Sequence, residues 1–236
     1  RRQTREQRLE VLNRVLRHNL RNDANSIIGR ARLISDGGSA DVSAEEIVET
    51  TTGLLSAAER AREIDQMMTA SEGGGPTPVA ETVETVVADV AREQEVGVTT
   101  ALPDGASAAV NPTVFETVVR NVVENAAEHN GADEPIVVVS ASVDGDAVSL
   151  AVSDNGPGIP EQERAVLERG GESALEHGSG LGLWAVYWGV VRMGGDLSFA
   201  ENEPRGSVVS VTVPRADRPG ERGQQVAESA ASPADS

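Results

Sequence analysis

The chain has 236 residues, a formal net charge of −18, no cysteine and no lysine, so arginine supplies every permanently positive side chain. Those absences exclude disulfides, thiol nucleophiles and cysteine-bound zinc. They also exclude the Walker-A lysine, the Schiff-base lysine and the phosphate-binding lysine of eukaryotic-type protein kinases. No apolar run reaches the roughly 18 residues of a spanning helix and no signal-peptide pattern is present, so the chain reads as a soluble, cytoplasmic piece of a longer protein that starts in mid-pattern at Arg1.

The negative charge accompanies segments rich in Val, Leu, Ile and Ala with clear periodicity, which argues for a folded protein with an acidic surface rather than for disorder. At about 1 M salt the Debye length is only about 3 Å and self-repulsion is screened. A halophilic source is expected.

Residues 1–36 predict a long helix, with Leu9, Leu12, Leu16, Leu20, Ala24, Ile27, Ala31 and Ile34 in one apolar stripe. The run Asp36-Gly37-Gly38-Ser39 stops it. Ser43 is expected to cap a second helix, with Glu46 as its capping-box partner, and Ile47, Thr51, Leu54, Ala58, Ala61 and Met68 form its stripe. Two such helices make an antiparallel hairpin. A hairpin with one stripe per helix buries little alone, and pairing with a second copy into a four-helix bundle solves that. His18 lies two residues from both Leu16 and Leu20, about 200° around the helix, so it is expected to point to solvent. Asn22 and Asn25 share its face. Residues 1–32 hold nine arginines against three acids. A lone exposed His is ordinarily an inert surface residue. In this positive field it also reads as a neutral imidazole poised for a phosphoryl group.

Ser71 to Pro78 has the composition of a linker. Beyond it the pattern becomes mixed α/β. Helices are expected over 81–92, 112–129, 160–168 and 179–193. Strands are expected over 96–102, 107–110, 136–143, 147–153, 197–200 and 208–213. Three main helices and a mostly antiparallel sheet predict a two-layer α/β sandwich. The expected organisation is a helical hairpin over 1–72, a linker over 73–78, an α/β domain over 79–214 and a disordered acidic tail over 215–236.

On the helix 112–129, Asn121 and Asn125 sit at i and i+4 and share a face, with Glu124 and Glu128 beside them. Amide and carboxylate oxygens are hard ligands, suited to a Mg²⁺ that also holds substrate phosphates, although a polar outer helix face would look the same. Asp154 ends a strand, where a buried carboxylate accepts from an exocyclic amine and distinguishes adenine from guanine. Gly156 and Gly158 permit a sharp turn after it. Gly178, Gly180 and Gly182 alternate at a helix start, where bare N–H groups and the helix dipole suit a polyanion. The stretch between, 162–177, reads as a lid. Its Arg164, Arg169 and His177 are candidate phosphate contacts that are equally at home as surface residues. A dinucleotide fingerprint fails because position 183 is Leu183, and a P-loop fails for lack of lysine.

Asn121 and Asn125, Asp154-Asn155-Gly156-Pro157-Gly158 and Gly178-Ser179-Gly180-Leu181-Gly182-Leu183 resemble, in order and spacing, the N, G1 and G2 boxes of the histidine-kinase/gyrase/Hsp90/MutL ATPases. Together with Arg17-His18-Asn19-Leu20-Arg21-Asn22-Asp23, the chain resembles a two-component sensor histidine kinase of a type found in halophilic archaea. The resemblance implies ATP and Mg²⁺ as cofactors, with Asn125 and Asn121 as metal ligands. It implies Asp154 as the adenine reader, and Gly156, Gly158, Gly178, Gly180, Gly182 and Leu183 as pocket residues. His18, with Asn19 and Asn22 beside it, is the implied catalytic set: His18 takes the γ-phosphoryl group and passes it to an aspartate of a response regulator receiver domain. A homodimer and an upstream sensor domain are the other implied partners, and no nucleic acid is expected. Asn19 stands where many members carry an acid, and Glu128 where they often carry a base. Asn22 matches a position used to orient water in regulator dephosphorylation. Two further readings follow, a catalytically weak dimeric scaffold or phosphatase and a non-kinase ATPase of the same superfamily.

Overall fold

The computed structural model describes residues 24–36, 40–71, 73–161, 164 and 180–216. Helix α1 (24–35) is followed by α2 (Ala40–Thr69), β1 (Pro76–Pro78), α3 (Val79–Gln94), β2 (Gly97–Ala101), β3 (Ser107–Ala109) and α4 (Pro112–Glu128). Then come β4 (Ile136–Asp144), β5 (Ala147–Asp154), α5 (Gly180–Met193), β6 (Asp196–Glu201) and β7 (Ser207–Pro214). The main sheet has the order β2-β4-β5-β7-β6. Only β2 and β4 run parallel; the other neighbours are antiparallel.

Alternation along the strands makes the layers. In β5, Val148, Leu150, Val152 and Asp154 are buried, while Ala147, Ser149, Ala151 and Ser153 are only partly covered on the other face. The covering layer is α3, α4 and α5. Val83, Val86, Val87 and Val90 make the stripe of α3, and Val114, Phe115, Val118, Val119, Val122 and Val123 that of α4. Burying each of these side chains is worth about 1.5–3 kcal/mol. Asn111 caps α4, its side-chain oxygen accepting from Thr113 N (3.0 Å) and Val114 N (3.3 Å), and Pro112 fits the first turn. On α5, Trp184 and Trp188 meet edge to face at 6.2 Å, and Tyr187 meets Trp188 at 4.9 Å.

The end of α2 enters the same core. Ile64, Met67 and Met68 are buried in the cluster that α4 and α5 share. Gly189 of α5 makes the notch for them: a Cβ there would lie 2.2 Å from Val118 Cγ2 and 3.1 Å from Met67 Sδ. The last turn of α2 contains no basic residue. Arg192 of α5 supplies one, donating to the Met68 oxygen at 3.3 Å and to the Ala70 oxygen.

Three local expectations change. The helix is already formed at Ala40, so Ser43 is not its cap. Glu46 lies inside the helix and pairs with Arg30 of α1 at 2.7 Å, an ion pair between helices. The stretch 73–78 ends in a strand, β1, which pairs with β3. Thr77 is buried and donates to the Val110 oxygen at 2.8 Å, and a Cβ on Gly74 would lie 1.8 Å from the Val110 carbonyl carbon. Two prolines fit such a short edge strand because it needs few N–H donors. Arg215 and Ala216, expected in the tail, are bonded to Asp146 and Ser107 through their N–H groups, both at 2.8 Å. Residues 217–236 lie outside the described residues.

Candidate functional site

The site is built at one end of α4. Asn121 is 2% exposed, and its Nδ2 donates to the Thr117 oxygen at 2.8 Å. That bond fixes the amide and leaves Oδ1 facing α5. Gly182 lies opposite. A Cβ there would be 2.9 Å from Asn125 Oδ1, 3.2 Å from Asn125 Nδ2 and 3.3 Å from Asn121 Oδ1. Asn125 Nδ2 is buried and has no hydrogen-bond partner among the described residues. An orphan buried donor is costly, and a bound polar group would satisfy it. Leu183, the next residue, belongs to the hydrophobic core together with Trp184 and Val186.

Asp154 makes the other end. It is 8% exposed at the last position of β5. Its Oδ1 accepts from Gly156 N at 2.8 Å, its Oδ2 accepts from the Ser207 hydroxyl, and its main-chain oxygen accepts from Asn202 Nδ2 at 2.7 Å. Asn155 braces the next strand, accepting from Ile136 N and donating to the Glu134 oxygen, both at 2.9 Å. The two ends meet through Asn130, which follows α4 and is 1% exposed. A Cβ on Gly156 would lie 2.5 Å from the Asn130 oxygen, so only glycine lets the loop after Asp154 pass the end of the Asn121/Asn125 helix. Gly158 has φ 84° and faces the Gly206 oxygen.

Charge surrounds the outer side of α4. Arg60 of α2 pairs with Glu128 at 3.5 Å, and Arg120 lies 3.8 Å from Glu124 and 3.3 Å from Asp89. Burial, with the nearby charge of Glu63 adding to it, pushes the Glu124 carboxyl up to about 7 against the opposing pull of Arg120. Burial also raises Glu63, opposed by Arg120 and Arg60. Hydrogen bonds from Arg92 and Arg120 lower Asp89.

The expected residues therefore fall into three groups. Asn121, Asn125 and Gly182 converge. Asp154, Gly156 and Gly158 form the adjoining loop, and Gly180 opens α5. His18, Asn19, Asn22, Gly178, Arg169 and His177 lie outside the described residues. Arg164 is 3.6 Å from Glu201. Sequence reasoning missed Ser207, Asn202 and Asn130. Ser207 had a readable signal: it occupies an inward position of β7 in line with Val209, Val211 and Val213. A polar residue at such a position needs a partner.

The donor set suits a magnesium–nucleotide complex. Among the described residues no group of three or more His, Cys, Asp or Glu is placed to hold a metal. Two hard amide oxygens match a Mg²⁺ that takes its remaining ligands from phosphates and water.

Residues 110–217 match the histidine kinase-, DNA gyrase B-, and HSP90-like ATPase family. The chain is 31% identical over 233 residues to sensor protein KdpD of Escherichia coli K12, covering 91% of this chain and 25% of that protein. It thus spans about a quarter of the length of that curated relative. The structure of the mycobacterial sensor histidine kinase MprB is 27% identical, with a TM-score of 0.51, over 61% of this chain and 98% of that one. The structure of the Acinetobacter baumannii histidine kinase AdeS, 19% identical, shares the fold with a TM-score of 0.62 over 85% of this chain and 98% of that one.

Proposed function

We propose that this chain, which carries a histidine kinase-, DNA gyrase B- and HSP90-like ATPase domain and resembles two-component sensor histidine kinases, is the kinase core of such a protein. ATP binds with adenine at Asp154 and its phosphates towards Asn121 and Asn125, with Gly180 and Gly182 at the start of α5 and Gly178 two residues before it in the sequence. Asn125 and Asn121 would hold Mg²⁺, which would supply charge neutralisation to the phosphates. The γ-phosphoryl group passes to a ring nitrogen of His18, leaving ADP, and from there to an aspartate of a response regulator receiver domain. Asn19 follows His18 directly in the sequence and Asn22 stands four residues on.

The observation that carries this reading is the orphan Asn125 amide facing a glycine whose Cβ would fill the space between them. Phosphoryl transfer depends on positioning and charge more than on covalent help, so a protein without lysine, using arginine, backbone N–H and Mg²⁺, is chemically sufficient.

The hairpin 1–72 is the dimerisation and phosphoacceptor unit. Ile28, Leu33, Val48 and Leu55 of α1 and α2 are 48–65% exposed, apolar surface that a second copy in a four-helix bundle covers. Residues 79–214 are the ATP-binding unit. An upstream sensor domain feeds the hairpin, and the acidic surface suits high salt. Among the described residues no helix is long and apolar enough to cross a membrane.

A second reading, a dimeric scaffold or phosphatase, is favoured by Asn19 and by Glu128, whose carboxylate is paired with Arg60 rather than replaced by a base. Incubation with γ-labelled ATP and Mg²⁺ decides between them. Acid-labile label on the wild type and none on His18→Gln is the expected result. Label on both overturns the assignment of His18, and label on neither favours the scaffold.

A further inference from the structure

β5 and β7 pair from Ala147↔Pro214 to Ser153↔Val208, and there their ladder ends. Asp154 is the next residue. Beyond the ladder its main-chain oxygen is taken by a side chain, Asn202 Nδ2 at 2.7 Å. Asn202 is itself fixed, because its N–H donates to the Gly206 oxygen at 3.0 Å and closes the loop Asn202–Gly206 between β6 and β7. Gly206, at φ 122°, lies flat on the same carbonyl: a Cβ there would be 1.9 Å from the Asp154 oxygen and 3.0 Å from Asn155 Cα. Ser207 then reaches the Asp154 carboxylate.

Asp154 is thus held at three points. The Gly156 N–H and the Ser207 hydroxyl orient its carboxylate, and Asn202 fixes the backbone from which the carboxylate projects. The phosphate end, Asn121 and Asn125, stands on a different element and shares none of these bonds. A shift of the Asp154 backbone therefore moves the group facing a nucleobase and leaves the polyphosphate contacts in place. A hydrogen-bonding group that reads a base discriminates strongly only while it is held in position.

We propose that Asn202 is a positioning residue that sets nucleobase choice at Asp154, an inference that rests on the ATP-binding reading above. Its amide fixes the Asp154 carbonyl so that the carboxylate meets the exocyclic amine of adenine and rejects the carbonyl of guanine.

The test is calorimetric titration of the whole chain with Mg-ATP and Mg-GTP, for the wild type, Asn202→Ala and Asn202→Leu, with thermal denaturation of each. Asn202→Leu keeps the side-chain volume without the donor and carries the test if Asn202→Ala does not fold. In the variants ATP affinity should fall about tenfold while GTP affinity stays within about twofold, so the preference for ATP collapses. A lower Tm with an unchanged ATP-to-GTP ratio would make Asn202 a brace of the turn alone and overturn the proposal. A wild type that prefers ATP beside a variant with the same preference overturns Asn202 only. A wild type that binds neither nucleotide, or both equally, overturns the ATP reading and this inference with it.

Discussion

Asn125 and Gly182 are one methyl group from collision: a Cβ on Gly182 would stand 2.9 Å from the Asn125 amide oxygen. The glycine is a packing requirement set by the amides of α4. It also leaves open the space that a phosphate or its metal would use.

Gly182→Ala separates binding from folding. Glycine inside a helix is worse than alanine by about 1 kcal/mol, so the substitution favours α5 itself. The new methyl group pushes against Asn125 and Asn121. The expected outcome is a Tm within a few degrees of wild type and Mg-ATP affinity reduced at least about tenfold by calorimetry. Wild-type affinity in this variant would sink the assignment of the Asn121/Asn125 pair.

Ser207→Ala removes the hydroxyl that donates to Asp154 Oδ2. A buried acceptor left without its donor costs about 1–3 kcal/mol. Chemical denaturation should show a loss of that size with an unchanged m-value, and Asp154→Asn should lower ATP affinity further than Ser207→Ala does.

The contact between α2 and α4 should respond to pH. Burial raises Glu63, and burial with the Glu63 charge brings Glu124 to about 7. Both groups hold protons more tightly folded than unfolded. Their contribution to stability is complete below the ordinary carboxyl value of 4.5 and is lost as pH rises, for Glu124 through about 7. Glu124→Gln should flatten that part of the stability curve and gain on the order of 1 kcal/mol at pH 8, a figure reduced for the water that reaches the cluster. A variant with the wild-type slope between pH 5 and 7 would remove Glu124 from this role.

The end of α2 should behave as part of the α/β core. Met67 is fully buried, and Met67→Ala should cost about 2–5 kcal/mol. A fragment of residues 62–216 should melt well above one of residues 79–216, because the shorter piece loses Ile64, Met67, Met68 and the helix end that Arg192 caps. Equal melting temperatures would show that the contact adds nothing.

Most elements were legible because their causes are local. The valine stripes of α3 and α4, the Asn-Pro start of α4 and the alternation in β4, β5 and β7 each act within a few residues. Spacing puts Asn121 and Asn125 on one face, and the resemblance to the ATPase boxes brings Gly182 to them, but the closeness of the approach depends on how α5 packs on α4. What escaped was set by distant partners. The spacing of Ser43 and Glu46 suggests a capping box, and nothing near them in the sequence points to Arg30, the partner Glu46 has on another helix. The stretch 73–78 has a linker's composition, which carries no sign of β3, its pairing strand. Nothing local marks Asn202, since its partner Asp154 lies 48 residues earlier in the chain.

Both tryptophans of the chain stand on α5, at 184 and 188, and the only tyrosine lies between them at 187. Near-ultraviolet light is therefore absorbed and re-emitted almost wholly by the one helix whose first turn holds Gly182 and whose last turn holds Arg192. The unlabelled protein carries its own optical probe of that helix. A change in emission on adding a ligand reports on α5, with no signal from the hairpin tip or the sheet to subtract.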